Sequence, residues 1–319
     1  MKKNIGVIML FMAFNSLAFD ICNMSVSLTP DDTKHSISFL YRHRFASRTF
    51  SQLVLTPAPN QSVNRHGGVT LVPGIENQTV TESYSVYEIK GVYFLNHRWS
   101  LTGSFPMIHN QRTFNGEKLF DINGVGDPII MGRYNLLRTN YTEKNKANHR
   151  LIIGTGAKLP LGKCNFEYEG ELVEHDIQAG SGTLDFVFSL DYLLLLNNLG
   201  ISINSNYKVN THNKQADYMF GNTNNSTLNL FYMKKFSETF SVVPYAGAYL
   251  EIADKDIEKF HFEENTGGKL LFGSLGTQFF IKNFRLDAFY QHVLKNKLNG
   301  NLQLNTKNRI QIGISYLFG

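Results

Sequence analysis

Residues 184–194 read Leu-Asp-Phe-Val-Phe-Ser-Leu-Asp-Tyr-Leu-Leu, and their alternation decides the fold. Leu184, Phe186, Phe188, Leu190, Tyr192 and Leu194 fall on one side of an extended chain, with Asp185, Ser189 and Asp191 on the other. A period of two places successive side chains on opposite faces of a strand. The same pattern recurs. Ile37, Phe39, Tyr41 and Phe45 alternate with Ser36, Ser38, Arg42 and Arg44. Trp99, Leu101, Phe105 and Met107 alternate with Ser100, Thr102 and Ser104. Ile201, Ile203, Tyr207 and Val209 alternate with Ser202, Asn204, Asn206 and Lys208. Phe284, Leu286, Ala288 and Tyr290 face away from Arg285, Asp287 and Gln291, and Ile310 to Phe318 repeats the design.

A soluble sandwich would give similar stripes, so strand length separates the two. The segments run to about 9–12 residues, what a tilted membrane strand needs, against about 5–6 in ordinary sheets. Lipid offers no hydrogen bonds, so a spanning sheet must close on itself, apolar outside and free to be polar inside. Weaker strands are expected near 80–95, 125–137, 150–160, 226–234, 240–251 and 269–281. With the clear ones they make an all-β, up-and-down antiparallel transmembrane barrel of about 12 strands.

The connections support this. Short links at Asn96-His97, Asn197-Asn198, Ser237-Glu238-Thr239 and Lys282-Asn283, and a polar one near 138–149, alternate with long loops. The loops are expected near 47–78, 108–124, 161–182, 210–225, 252–268 and 294–308. One rim of turns and one of loops suits an outer-membrane barrel with both termini periplasmic. Tyr134, Tyr192, Tyr207, Tyr232 and Tyr316 lie near strand ends, as interfacial girdles do.

Composition agrees. The chain has 319 residues with 25 Phe and 15 Tyr but 1 Trp, and beyond the N-terminus no apolar run is long enough for a spanning helix. Net charge is +5 with basic residues scattered, so nucleic acid is not an expected partner. Lys2 and Lys3, the apolar run Ile5 to Phe14, and Ser16-Leu17-Ala18 predict a signal peptide over 1–18. A periplasmic segment over 19–34 and the barrel over 35–319 would follow. Cys22 and Cys164 define no disulfide framework, and the bulky Phe19-Asp20-Ile21 argues against a lipid anchor at Cys22.

Three blocks carry a resemblance. They are Gly124-Val125-Gly126-Asp127 with Arg133-Tyr134-Asn135-Leu136, then Gly154-Thr155-Gly156-Ala157-Lys158-Leu159-Pro160-Leu161-Gly162, then Gly180-Ser181-Gly182-Thr183-Leu184-Asp185. In this order they resemble the transporter-like outer-membrane family labelled "MetA-pathway of phenol degradation", over roughly residues 80 to 319. The resemblance implies a channel or transporter for small apolar or aromatic compounds, distantly akin to channels of the long-chain fatty acid transporter type. Residues 310–319 also resemble the C-terminal signal read by barrel-assembly machinery, with Gly319 following the aromatic Phe318.

Parity places Arg42, Arg44, Lys90, Arg133, Lys158, Lys208, Arg285 and Arg309 in the lumen, against Glu88, Asp127, Asp185, Asp191 and Asp287. All of these but Lys208 are the candidate constriction residues, and the basic excess of the whole set favours anions in a pore. Asp127, Lys158 and Asp185 fall near one level and are expected to form an ion-pair network under the loops. Glu167, Glu169, Glu171, Glu174, His175 and Asp176 read as a solvated patch of the loop 161–182. No cofactor, metal or catalytic residue is expected. A lipid-modifying barrel enzyme would need a Ser or His at the lipid-facing rim. His43 and His292 are the lipid-face histidines, neither with an evident Ser or carboxylate partner. A passive channel for a small solute, embedded in outer-membrane lipid, is therefore the expected function. A structural or adhesive barrel with binding loops is the alternative.

Overall fold

The computed structural model describes residues 28, 33–50, 78–139, 147–168, 171–300 and 303–319. Twelve antiparallel strands form one closed ring. They are β1 (His35–Phe50), β2 (Gln78–Phe94), β3 (Trp99–Phe114), β4 in two parts (Glu117–Val125 and Ile129–Arg138) and β5 (Asn148–Lys158). Then follow β6 (Asp185–Leu196), β7 (Leu199–Val209), β8 (Thr223–Tyr232), β9 (Phe240–Ala253), β10 (Gly268–Ile281), β11 (Phe284–Leu298) and β12 (Asn305–Phe318). Each strand pairs with its neighbours in sequence, and β1 pairs with β12 from His35↔Phe318 to Ser47↔Asn305, which closes the ring. Closure leaves no continuous sheet edge to be satisfied by lipid.

The expected parity holds around the wall. Phe186, Phe188 and Leu190 are exposed while Asp185, Ser189 and Asp191 are buried inside. Trp99 contacts Tyr134 at 4.8 Å and Phe284 contacts Tyr316 at 5.3 Å, building an aromatic band beside the short turns. Near the same rim the inside departs from polarity. Leu193, Leu195, Phe231, Met233 and Val243 pack together there, and Leu28, from the segment expected in the periplasm, is buried among them. Its N–H donates to Gln278 Oε1 at 3.1 Å.

Two of the six long loops are mostly strand. The segment 108–124 is a hairpin in which β3 and the first part of β4 meet at Asn115 and Gly116, with φ of 50° and 86°. Asn-Gly supplies the left-handed residues of a two-residue hairpin turn, a signal the loop reading passed over. The segment 294–308 is likewise taken up by β11 and β12. The loop between β1 and β2, and most of the link after β4, fall outside the described residues. Strands β1 to β3 and the first part of β4 thus make a tall wall. The second part of β4, β5 and β6 stop lower, and the chain between β5 and β6 turns inward over this dip.

Candidate functional site

The three sequence blocks meet at one point. Gly126 directly follows the first part of β4, where a side chain would strike Ile108 Cδ1 at 2.7 Å, and Asp127 comes next, turned inward. Its carboxylate accepts the N–H of Gly162 at 2.8 Å, and the N–H and hydroxyl of Ser181, each at 2.8 Å. Lys158 Nζ lies 3.4 Å from Asp127, 2.6 Å from Asp185, and donates to Ser181 Oγ at 2.6 Å. Gly162 and Gly180 cross backbone against backbone: a Cβ on Gly180 would sit 2.5 Å from the carbonyl of Gly162. The motif glycines and acids therefore tie both ends of the loop 159–184 to the barrel wall. Asp185 also accepts the N–H of Thr211 at 2.9 Å, and Asn213 donates to the Ser181 carbonyl at 3.1 Å, which draws in the next loop.

Above this knot the loop enters the barrel, so the expected solvated patch is corrected in part. Glu167 is exposed, but Glu174, His175 and Asp176 are buried around a short 3-10 turn, His175–Ile177. Val173, Ile177 and Ala179 pack on Tyr84, Phe120 and Ile122 of the tall wall. This apolar contact draws the neighbouring carboxylates inside, where they need partners. Arg112, 0% exposed, supplies one: its Nη1 is 2.7 Å from both Glu174 oxygens, and its Nε is 2.7 Å from Glu82. Burial pushes the Glu174 carboxyl above its ordinary range, against the opposing pull of Arg112. Glu82, Arg112 and Glu174 are not among the lumen residues that alternation predicts. The even-numbered parity of Glu88 and Lys90 extends along β2 to Glu82; only the loop's path marks Glu174.

All of the candidate constriction residues face inward and are buried. Asp127, Lys158 and Asp185 come together; the rest pair at separate heights rather than as one ring. Arg42 pairs with Glu88. Arg133 on β4 reaches Asp191 on β6 across Gly154, where a Cβ would press on its Cγ at 3.2 Å. Arg285 contacts Asp287 at 3.0 Å and Ser315 at 3.1 Å. Arg309 makes a two-pronged contact with Glu251, at 2.8 Å on each oxygen, and lies over the Phe272 ring at 4.2 Å. Arg44 lies over Tyr84 at 4.1 Å. Lys90 and Lys208 are buried on the same inner wall. Beneath the loop is a cavity of about 110 Å³, with Tyr84, Ile108 and Phe220 on its apolar side and Arg42, Arg44 and Lys208 on its basic side. That is room for several waters or a small solute.

Two further loops cover the mouth. Tyr218–Met219 pairs with Ile257–Glu258, and His175 packs on the Tyr218 ring at 4.0 Å. Asp256 joins the two loops by accepting the Gly221 N–H at 2.7 Å and the Tyr218 hydroxyl. Burial raises its carboxyl to about 6, partly offset by those hydrogen bonds. Between its ordinary value and 6 the docked loops hold a proton that the undocked loops have lost. Docking is therefore strongest at low pH and weakens as pH rises through that window. Hydrogen exchange of 210–222, corrected for intrinsic rates, is expected to be slower at pH 4.5 than at pH 7. Asp256→Asn is expected to remove the difference.

On the outer face the structure corrects the reading of one histidine. His43 Nδ1 lies 2.8 Å from Ser85 Oγ, so it does have a serine partner. His292 is exposed.

The family model described as "Putative MetA-pathway of phenol degradation" matches residues 60–305. Among solved structures, the chain is similar to the COG4313 outer membrane channel from Pseudomonas putida F1. That match has TM-score 0.60 and 13% identity, covering 92% of this chain and 100% of that one. It also resembles the β domain of the Bordetella autotransporter BrkA (TM-score 0.49, 11% identity, 90% and 100% covered). The translocator domain of NalP from Neisseria meningitidis follows (TM-score 0.43, 11% identity, 91% and 91% covered). At 13% identity the likeness to the COG4313 channel is one of fold. No curated protein matches the chain.

Proposed function

Since the chain belongs to the family described as "Putative MetA-pathway of phenol degradation", we propose that it is a passive outer-membrane channel for a small aromatic solute bearing a polar group. The observation that carries this reading is the inner wall. Gln311 is 1% exposed, and neither end of its amide has a protein partner among the described residues. Thr102 Oγ1 and Asn225 Oδ1 are in the same position. Buried polar atoms are hydrogen-bonded in the great majority of cases, so these groups call for water along the wall. A wall that only had to be filled would do so more cheaply with apolar side chains, as the cluster around Leu193 does.

The solute class follows from the cavity under the loop, aromatic and aliphatic on one side and guanidinium-lined on the other. In this reading the short turns and both termini face the periplasm, and the loops face the medium. The outer wall sits in lipid, and β12 presents Tyr316 and Phe318 to the assembly machinery. Planar-bilayer recording and liposome swelling on the refolded barrel test it. Small, discrete conductance steps and uptake of arene carboxylates or phenols are expected. A protein that inserts fully folded yet gives neither conductance nor uptake would overturn the channel.

A further inference from the structure

The lipid-facing wall carries a row of polar groups that the channel does not use. Across four strands the register aligns His43 on β1 with Ser85 on β2, Ser85 with His109 on β3, and His109 with Asn123 on β4. Ser85 is thus flanked by a histidine on each side. His43 Nδ1 meets its hydroxyl at 2.8 Å, and the His43 ring is held edge-on against Phe45 at 4.2 Å and stacked on Tyr41 at 6.2 Å. On the other flank His109 Nε2 lies 2.7 Å from Asp121 Oδ1, which also accepts from Asn123. Directly opposed residues in a sheet have Cβ atoms about 5 Å apart, so both imidazoles lie within reach of one small side chain.

The level of the row matters as much as its chemistry. Toward the short turns the same face is apolar and exposed, at Tyr87, Met107 and Val125. Toward the loops β2, β3 and β4 turn to Ser83, Gln111 and Asp121, while β1 keeps one exposed aromatic ring, Phe45. The row therefore stands where the apolar band ends, the depth at which the ester bonds of a membrane lipid lie. This placement rests on the membrane orientation given above, but not on conduction.

We propose that Ser85 and His43 form an acyl-ester hydrolase site on the outside of the barrel, acting on fatty-acyl esters in the adjoining leaflet. Ser85 Oγ attacks the ester carbonyl carbon, forming a C–O bond as its proton passes to His43 Nδ1. Collapse of the tetrahedral adduct breaks the bond to the alcohol oxygen, which takes that proton and leaves. Water repeats the sequence, its proton moving through His43 back to Ser85 Oγ, and the fatty acid departs. No oxidant, metal or cofactor enters the balance. Charge developing on the carbonyl oxygen is met from the far flank, where His109 and the Gln111 amide are the available donors. Asp121 is a positioning residue that holds the His109 ring. Ser85 is 8% exposed beside the His43 imidazole, so the acyl chain has to approach along the apolar face below.

The test uses the refolded full-length barrel in mixed micelles of detergent and phospholipid, with a chromogenic medium-chain ester as a second substrate. Heat-modifiable gel mobility reports folding of every variant. Release of fatty acid is expected from wild type, with a loss on the order of 100-fold or more in Ser85→Ala and in His43→Asn. A fluorophosphonate is expected to label Ser85 and no other residue. Asp121→Asn is expected to lower kcat with KM little changed, and Asp121→Glu to restore it. Ser85→Ala should leave conductance unaltered, because the side chain faces lipid. Absence of hydrolysis by folded wild type, or hydrolysis and labelling that persist in Ser85→Ala, would overturn the proposal.

Discussion

Arg112→Met is expected to free the inward loop and raise the conductance of the barrel severalfold. The guanidinium is enclosed, shared between Glu82 on the wall and Glu174 on the loop, and covered by the Phe120 ring at 5.2 Å. Removing it leaves two carboxylates in the interior without their cation. Breaking a buried pair this way costs about 3–5 kcal/mol. The two acids differ in how they can escape. Glu82 is fixed in β2, hydrogen-bonded by Tyr84 at 2.5 Å, inside the tallest part of the wall. Glu174 sits on a short turn that reaches water if the loop swings outward. Relief by loop release is thus easier than relief by opening the barrel, and the ring of twelve strands should survive. Single-channel recording is expected to show larger steps, and limited proteolysis new cuts within 163–179. Adding Glu174→Gln to Arg112→Met removes one of the stranded charges and is expected to restore part of the closure. Unchanged conductance and unchanged protease resistance in Arg112→Met would contradict the role given to this pair.

Gly180→Ala is expected to undo the loop from its base. The added methyl would lie 2.5 Å from both carbonyl atoms of Gly162, and a backbone group cannot rotate away as a side chain can. Separating the two strands of the crossing withdraws the Gly162 and Ser181 amides from Asp127. Each buried polar group left without a partner costs about 1–3 kcal/mol, so the loss is several kcal/mol at a site well away from Arg112. Gly132→Ala is the control: a Cβ there meets nothing within 4 Å, and the wall should accept it with little change. Proteolysis of the loop at graded temperature separates the two variants. Equal protection of Gly180→Ala and wild type would mean that the crossing is not what secures the loop.

These two variants also show where reading the sequence stopped. The inward placement of Asp127, Lys158 and Asp185 was legible from alternation, and their joining near one rim followed from strand order. That Gly162 and Gly180 touch was not legible, because nothing local marks a crossing of two backbones eighteen positions apart. Glu174 and Asp176 read as solvated acids because they follow Glu167, Glu169 and Glu171 in one long loop. Their burial is decided by Ile177 and Val173, whose apolar partners Phe120 and Ile122 lie in a segment that read as loop. His43 was placed correctly on the lipid face, but its partner Ser85 comes from another strand and depends on the register between β1 and β2.

Period-two alternation by itself determined that the chain is a closed antiparallel barrel of about 12 strands, with a predictable set of residues turned inward. The reason is that lipid outside and polar groups inside constrain every second residue, so each strand carries the signal on its own. Only the tertiary structure decided what closes the barrel, which charges pair, and which polar groups line up on its outer wall. Those outcomes depend on register and on the path of loops, set by contacts between residues far apart in the chain.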